Sequence, residues 1–376
     1  MNNLIIPFRG NLLGALDEGF KITVDTTKVG SASNTFVLPL QNGATSMTVF
    51  WGDGNSDVIT AHNQAELTHV YSSSGSYQVT LDGIFYGIKF NNGGDKLKLS
   101  SIDSWGTNQW GSMNRAFFGC SNLVANYSDS PDTSLVGLMD FAFSSCTLFN
   151  GLIDFNTSAV TTMEWMFKGC AALNSSFSLS DTSNVTNMSQ MFSGCTLFNQ
   201  AINFDTSAVT ITSTMFYNCQ NFNQSITFNA PLLLLANAMF ERCYVLNQPI
   251  SLTTSSSLTN TSRMFVLCYL FNSPITISNT SGVTTMQSMF NIASAFDQDI
   301  SAFQINALTN AISMLQASSF SQTNYDLLLP AWDAYGTSGV TFHAGTAQYA
   351  AFPSAPATAR ALMVGRGWTI TDGGPI

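Results

Sequence analysis

Seven cysteines fix the ground plan of this chain. Cys120, Cys146, Cys170, Cys195, Cys219, Cys243 and Cys268 are separated by 26, 24, 25, 24, 24 and 25 residues, and the sequence has no others. A constant period of about 20–50 residues marks a stacked-repeat architecture, because one such unit buries its apolar face only against a neighbour. The frame is cleanest over 185–199, V-T-N-M-S-Q-M-F-S-G-C-T-L-F-N. Two further copies keep the spacing with Ala293 and Ser318 in place of the cysteine.

Aligned on the Phe three residues before each Cys, Val185, Met188, Phe192, Cys195 and Asn199 stand at offsets 0, 3, 7, 10 and 14. Those offsets form a helical stripe, which predicts a short helix or 3₁₀ turn with one buried face in this half of each repeat. The other half has period two. Ile153/Phe155, Phe177/Leu179, Ile202/Phe204, Ile226/Phe228, Ile250/Leu252 and Ile275/Ile277 each flank a polar residue, which predicts short strands with one face inward. Coils of this kind stack their strands about 4.8 Å apart as a parallel sheet.

The stacking assigns two internal rows. The cysteines occupy one repeat position, so they are expected in a single buried row as small hydrophobes. Zinc sites want close Cys pairs, whereas the smallest spacing here is 24; an odd count also argues against full disulfide pairing. Asn150, Asn174, Asn199, Asn223, Asn247 and Asn272, with Asp297 in the next copy, each follow an apolar residue. An amide at the bend into the strand can bridge backbone groups of neighbouring coils, and a largely buried row is expected.

Residues 1–17 have no repeat character and read as an N-terminal arm. Over 18–92 the pattern changes to short alternating strands between Gly, Asn and Ser turns, which predicts a small β-sandwich. Trp51-Gly52-Asp53-Gly54, followed by His69-Val70-Tyr71 and by G-S-Y-Q-V-T-L at 75–81, resembles the polycystic-kidney-disease (PKD) type domain. Gly52 and Gly54 suit the positive φ of a tight turn and Asp53 can bond its own backbone. His69 is expected as a structural partner of that turn. Asp53 and Asp57 alone are too few ligands for a calcium site.

From 93 to 320 about nine coils are expected. Met191-Phe192-Ser193-Gly194-Cys195, Phe198-Asn199-Gln200 and D-T-S-N-V-T-N-M at 181–188 resemble the repeats of BspA-like leucine-rich-repeat surface proteins. The resemblance lapses at Asn229-Ala230-Pro231 and in the Cys-less copies. Residues 321–376 read helix–strand–helix–strand and resemble the closing unit of the same family, an α/β cap over the last open coil. The expected fold is thus mainly β with short helices: a PKD-like sandwich, a leucine-rich-repeat-like solenoid and a C-terminal cap.

Composition narrows the function. Charged residues are only 9% of the chain, against roughly 25% in ordinary proteins, and the formal net charge is −10. Nucleic acid and anionic membranes need clustered Lys and Arg, and no membrane span is visible. The N-terminus lacks the charged and apolar regions of a signal peptide. No nucleophile elbow, zinc-protease or phosphate-loop motif occurs, and His62, His69 and His343 stand apart from any Ser or Cys motif. No catalytic residue, cofactor or metal site is expected.

The expectation is a non-enzymatic adhesion or structural protein of a bacteriophage virion, as a fibre, appendage or decoration. Its partners would be other virion proteins through the N-terminal region and a host-surface glycan or protein. The alternative is a bacterial cell-surface or secreted adhesin. A third reading, an ice- or polysaccharide-surface binder using Thr rows, ranks lowest because the Thr positions look irregular.

Overall fold

The computed structural model describes residues 18–376, so the arm expected over 1–17 lies outside the described residues. The chain is mainly β, and it opens with β1 (Phe20–Asp25), β2 (Thr35–Val37), β3 (Thr45–Phe50), β4 (Ser56–Ile59), β5 (Thr68–Val70) and β6 (Ser76–Phe85). Alternation in β1 places Phe20, Ile22 and Val24 inward with no exposed surface. Next come β7 (Leu99–Ser104) and β8 (Val124–Ala125). One six-stranded sheet has the order β4-β3-β6-β1-β7-β8, and β2 pairs with β5 in a second, small sheet. β7 is the joint of the molecule, antiparallel to β1 on one side and parallel to β8 on the other. Hydrogen bonding therefore runs through the boundary expected at 92/93.

Beyond β7 the chain winds into a solenoid, and its backbone bonds explain why the coils stack. In the coil around Phe167, the N–H groups of Met163, Trp165, Phe167 and Gly169 donate to the next coil, at Asn187, Ser189, Met191 and Ser193. The intervening N–H groups of Met166, Lys168 and Cys170 donate three residues back within their own coil, to Met163, Trp165 and Phe167. Alternate donors thus serve the coil and the stack, leaving none of these orphaned in the interior.

This half-repeat is a ribbon of turns: its bonds three residues back are those of the expected 3₁₀ turn, and the alternative, a continuous helix, is not formed. The reason is two left-handed residues per coil. One column, Arg115, Phe141, Trp165, Gln190, Thr214, Ala238, Arg263, Ser288 and Ser313, has φ between +53° and +61°. Four residues further on, Gly119, Ser145, Gly169, Gly194, Asn218, Arg242, Leu267, Ile292 and Ala317 are also left-handed. Each reversal of φ turns successive N–H groups away from a common helix axis and toward the neighbouring coil.

The other half supplies β9 (Ile153–Phe155), β10 (Phe177–Leu179), β11 (Ile226–Asn229), β12 (Ile250–Thr253) and β13 (Ile275–Ile277). β9 pairs with β10, and β11-β12-β13 form a second parallel sheet, all in register. The strand expected at Ile202/Phe204 does not form, and the sheet is interrupted there. Ala201, Asn203, Phe204 and β10 instead line a cleft of about 130 Å³.

A second ladder runs along the stack through single-residue parallel bridges from Leu138 to Asn310. It passes through β14 (Asn310–Ala311) into β15 (Thr341–His343) and β16 (Thr369–Thr371). Helices α1 (Gln322–Asp333) and α2 (Ala355–Gly365) pack beside these strands, N-capped by Ser321 and Ser354. A single apolar core extends from Phe20 to Trp368. Its spine is Phe117, Phe143, Phe167, Phe192, Phe216, Phe240, Phe265 and Phe290, whose successive rings stack at 5.0–5.9 Å between centroids. Offset stacking at such separations adds to the stabilisation from burial.

Candidate functional site

The seven cysteines form one internal row, all free and fully buried. Each thiol from Cys146 to Cys268 donates to the carbonyl of the Phe one coil back, as Cys195 Sγ does to Phe167 O at 3.0 Å. Burial pushes the thiols well above their ordinary value, shown for Cys120, Cys146, Cys195 and Cys243. Thiolate, the reactive form, is thereby suppressed. Among the described residues no group of three or more His, Cys, Asp or Glu is placed to hold a metal ion.

The asparagines stack in the expected order but at the corner of the coil. Asn150, Asn174, Asn247 and Asn272 are exposed and Asn199 and Asn223 half-buried, which corrects the largely buried row. The bend carries the chain around the outside of the core, so the amide sits over the corner with one side in water. Each Oδ1 accepts the backbone N–H of its counterpart in the next coil, at 2.7–2.9 Å from Asn150 through Asn272. Asp297 continues the series to the Ser321 N–H at 2.8 Å. Gln200, Gln224 and Gln298 add a side-chain bond to the same oxygens.

In the N-terminal unit, Gly52 and Gly54 have φ +84° and +93°. A Cβ at Gly52 would stand 2.4 Å from Gln78 O, so only glycine passes there. Asp53 accepts from Asn55 and lies 2.9 Å from His69 Nε2. Partial burial raises its pKa, yet the bonds from His69 and Asn55 outweigh that and hold the carboxyl below the ordinary value. The His69 ring stacks on Trp51 at 4.8 Å, and Tyr71 Oη donates to Trp51 O at 3.0 Å. Asp57 is taken by the Trp51 indole at 2.8 Å. Trp51, Asp53, Asp57, His69 and Tyr71 therefore form one interlocked turn whose donors and acceptors satisfy one another.

The outer faces hold features that the sequence left unread. Thr161, Thr186, Thr210, Thr259, Thr284 and Thr309 share one column beside the bridge ladder. Each Oγ1 lies 3.0–3.3 Å from the carbonyl of the equivalent residue one coil back. Leu234 interrupts the row and Gly137 precedes it. Another edge exposes Leu148, Leu197, Val245, Tyr269 and Leu270, just after the cysteines. On the turn ribbon Arg115 lies over Phe141 at 4.6 Å and Lys168 over Trp165 at 3.3 Å. A buried Lys98 was also missed. Its ammonium donates to Ser31, Ala32 and Thr35 and lies 3.4 Å from Asp95.

A protein-family model described as "Mycoplasma protein of unknown function, DUF285" matches the chain in four overlapping stretches, 81–180, 111–230, 150–252 and 234–333. Together these run from within β6 to the end of α1. No curated protein and no solved structure matches the chain.

Proposed function

From the premise that this chain belongs to the family described as Mycoplasma protein of unknown function, DUF285, we propose that it is a non-enzymatic display protein. Its solenoid holds a binding surface toward a host glycan or protein. One observation carries this reading: the coils stack through backbone bonds and repeated side chains, while on the turn ribbon the outward residues at one equivalent position differ from coil to coil. Phe141, Trp165, Gln190, Thr214 and Arg263 occupy one column of identical backbone. A scaffold of that kind accepts new surface chemistry without losing its fold.

Within this proposal the N-terminal unit is a PKD-like domain serving attachment, and 321–376 close the stack as a cap. The setting is the virion of a bacteriophage, with a bacterial cell surface as the alternative. The test of role is a glycan and surface-protein binding screen with the intact chain, followed by substitution of the exposed edge Leu148, Leu197 and Leu270 by Ser. Saturable binding weakened by surface changes that leave the melting temperature unchanged supports the role. Turnover of a screened ligand, or binding indifferent to every outward column, overturns it. Electron microscopy of the source particle tests the setting, since a cell-surface protein gives no density on a virion.

A further inference from the structure

A cleft of about 540 Å³ lies where the six-stranded sheet meets the first coils. Its volume falls in the range of ordinary ligand sites. Ile84, Tyr86 and Leu135 contribute apolar surface and are 62%, 38% and 61% exposed. Glu18 and Asp82 also line the cleft, and no Lys, Arg or His does. Among the described residues neither carboxylate has a salt-bridge partner.

We infer that this cleft receives a basic, aliphatic peptide segment of a partner protein. Two acidic residues in a lining that has no Lys, Arg or His repel anions and attract Lys or Arg, whose alkyl stems lie along apolar walls while the charged head reaches the carboxylate. Stacking a sugar on Tyr86 is disfavoured, because the ring is packed against backbone: a Cβ at Gly43 or Gly111 would stand 2.3 or 2.2 Å from it. A second copy of this chain is a poor occupant, since both copies carry a net charge of −10. The site is independent of the display role, which rests on the solenoid.

The test is fluorescence anisotropy of a short labelled peptide alternating arginine with leucine, titrated with the full chain. Saturable binding is expected, weakening with salt and falling about five- to tenfold in the Glu18→Gln/Asp82→Asn double variant. Both substitutions are isosteric at groups with no salt-bridge partner among the described residues, and an unchanged thermal melt verifies folding. Equal binding of a glutamate–leucine peptide, or no loss in the double variant, overturns the inference. Binding that appears only after residues 1–17 are removed also overturns it, by assigning the cleft to the chain itself.

Discussion

Replacing Gly194 by alanine tests the turn ribbon, because a ribbon and a helix give effects of opposite sign. Gly194 has φ +79°, and a Cβ built on it meets Gly169 Cα at 3.5 Å and Gly169 N at 3.6 Å, ordinary contacts. Packing therefore drops out and the backbone term stands alone. A left-handed conformation costs a residue with a Cβ about 1–2 kcal/mol. Restricting the unfolded chain offsets about 0.4–1 kcal/mol of that. Gly194→Ala should thus destabilise by about 1 kcal/mol, whereas in a helix it would stabilise by about 0.5–1 kcal/mol. Ala317 runs the experiment backwards. It is exposed with φ +56°, so Ala317→Gly should stabilise by about 0.5–1 kcal/mol. Thermal melts should show opposite shifts of a few degrees, on the scale of about 2–4 °C per kcal/mol for a body of this size. Hydrogen exchange in the neighbouring coils should follow, since long arrays unravel coil by coil. A stabilised Gly194→Ala variant would refute the ribbon and restore the helix.

Other substitutions probe the rows. Asn199→Ala removes the acceptor for the Asn223 N–H and the Gln224 amide and should cost about 1 kcal/mol by urea unfolding. Asn199→Asp keeps the acceptor, as Asp297 does naturally, and should stay close to wild type at neutral pH. Thiol titration at pH 8 should find the seven cysteines silent in the native protein and all seven reactive in denaturant; fast native modification of any one contradicts the buried row. Acid should destabilise the chain through its aspartates. At Asp129 burial raises the pKa, but bonds from the Trp105 N–H, Ser104 Oγ and Gly106 N–H bring it below the ordinary 3.8. A carboxyl lowered by folding stabilises fully above its unfolded pKa and loses that contribution as pH falls through the folded value. The melting temperature should therefore drop below about pH 4, with a shallower acid limb in Asp129→Asn.

The period, the inward Phe, Met and Cys and five of the six strand pairs were legible because all follow from which residues recur. For the turn half the spacing left a short helix and a 3₁₀ turn both open. Two consecutive turns with bonds three residues back give the same inward spacing as a helix, and only Gly119, Gly169 and Gly194 hint at left-handed backbone. Ser145, Arg242, Leu267 and Ile292 take that conformation without the residue that advertises it. For the asparagines the sequence revealed the repeat position but not its distance from solvent, which depends on how tightly the corner folds over the core. The Thr row was hidden because Leu234 breaks it and Thr is also common at other positions. β7 carried no mark of its double pairing, since a strand that is antiparallel on one side and parallel on the other has the same alternation as any other.

That joint decides how the solenoid begins. A stack of coils opening on bare backbone would leave a row of unpaired donors and acceptors over an apolar face. Here the chain leaves β6 and lays down a partial coil, in which Phe90 and Asn92 donate to Ala116 and Phe118 as Phe117 and Gly119 do to the coil after. β7 then closes that coil against β1. Around the junction Phe20, Phe85, Trp105, Trp110 and Phe117 pack with centroids 5.2–6.3 Å apart, so the N-terminal unit and the first coil share one core. A linker between independent bodies would not bury two tryptophans completely. The N-terminal unit is therefore the cover of the first coil as much as a unit in its own right, and its orientation is carried along the ladder from β7 onward. What docks in the cleft beside that junction is thereby held in fixed register with the outward columns.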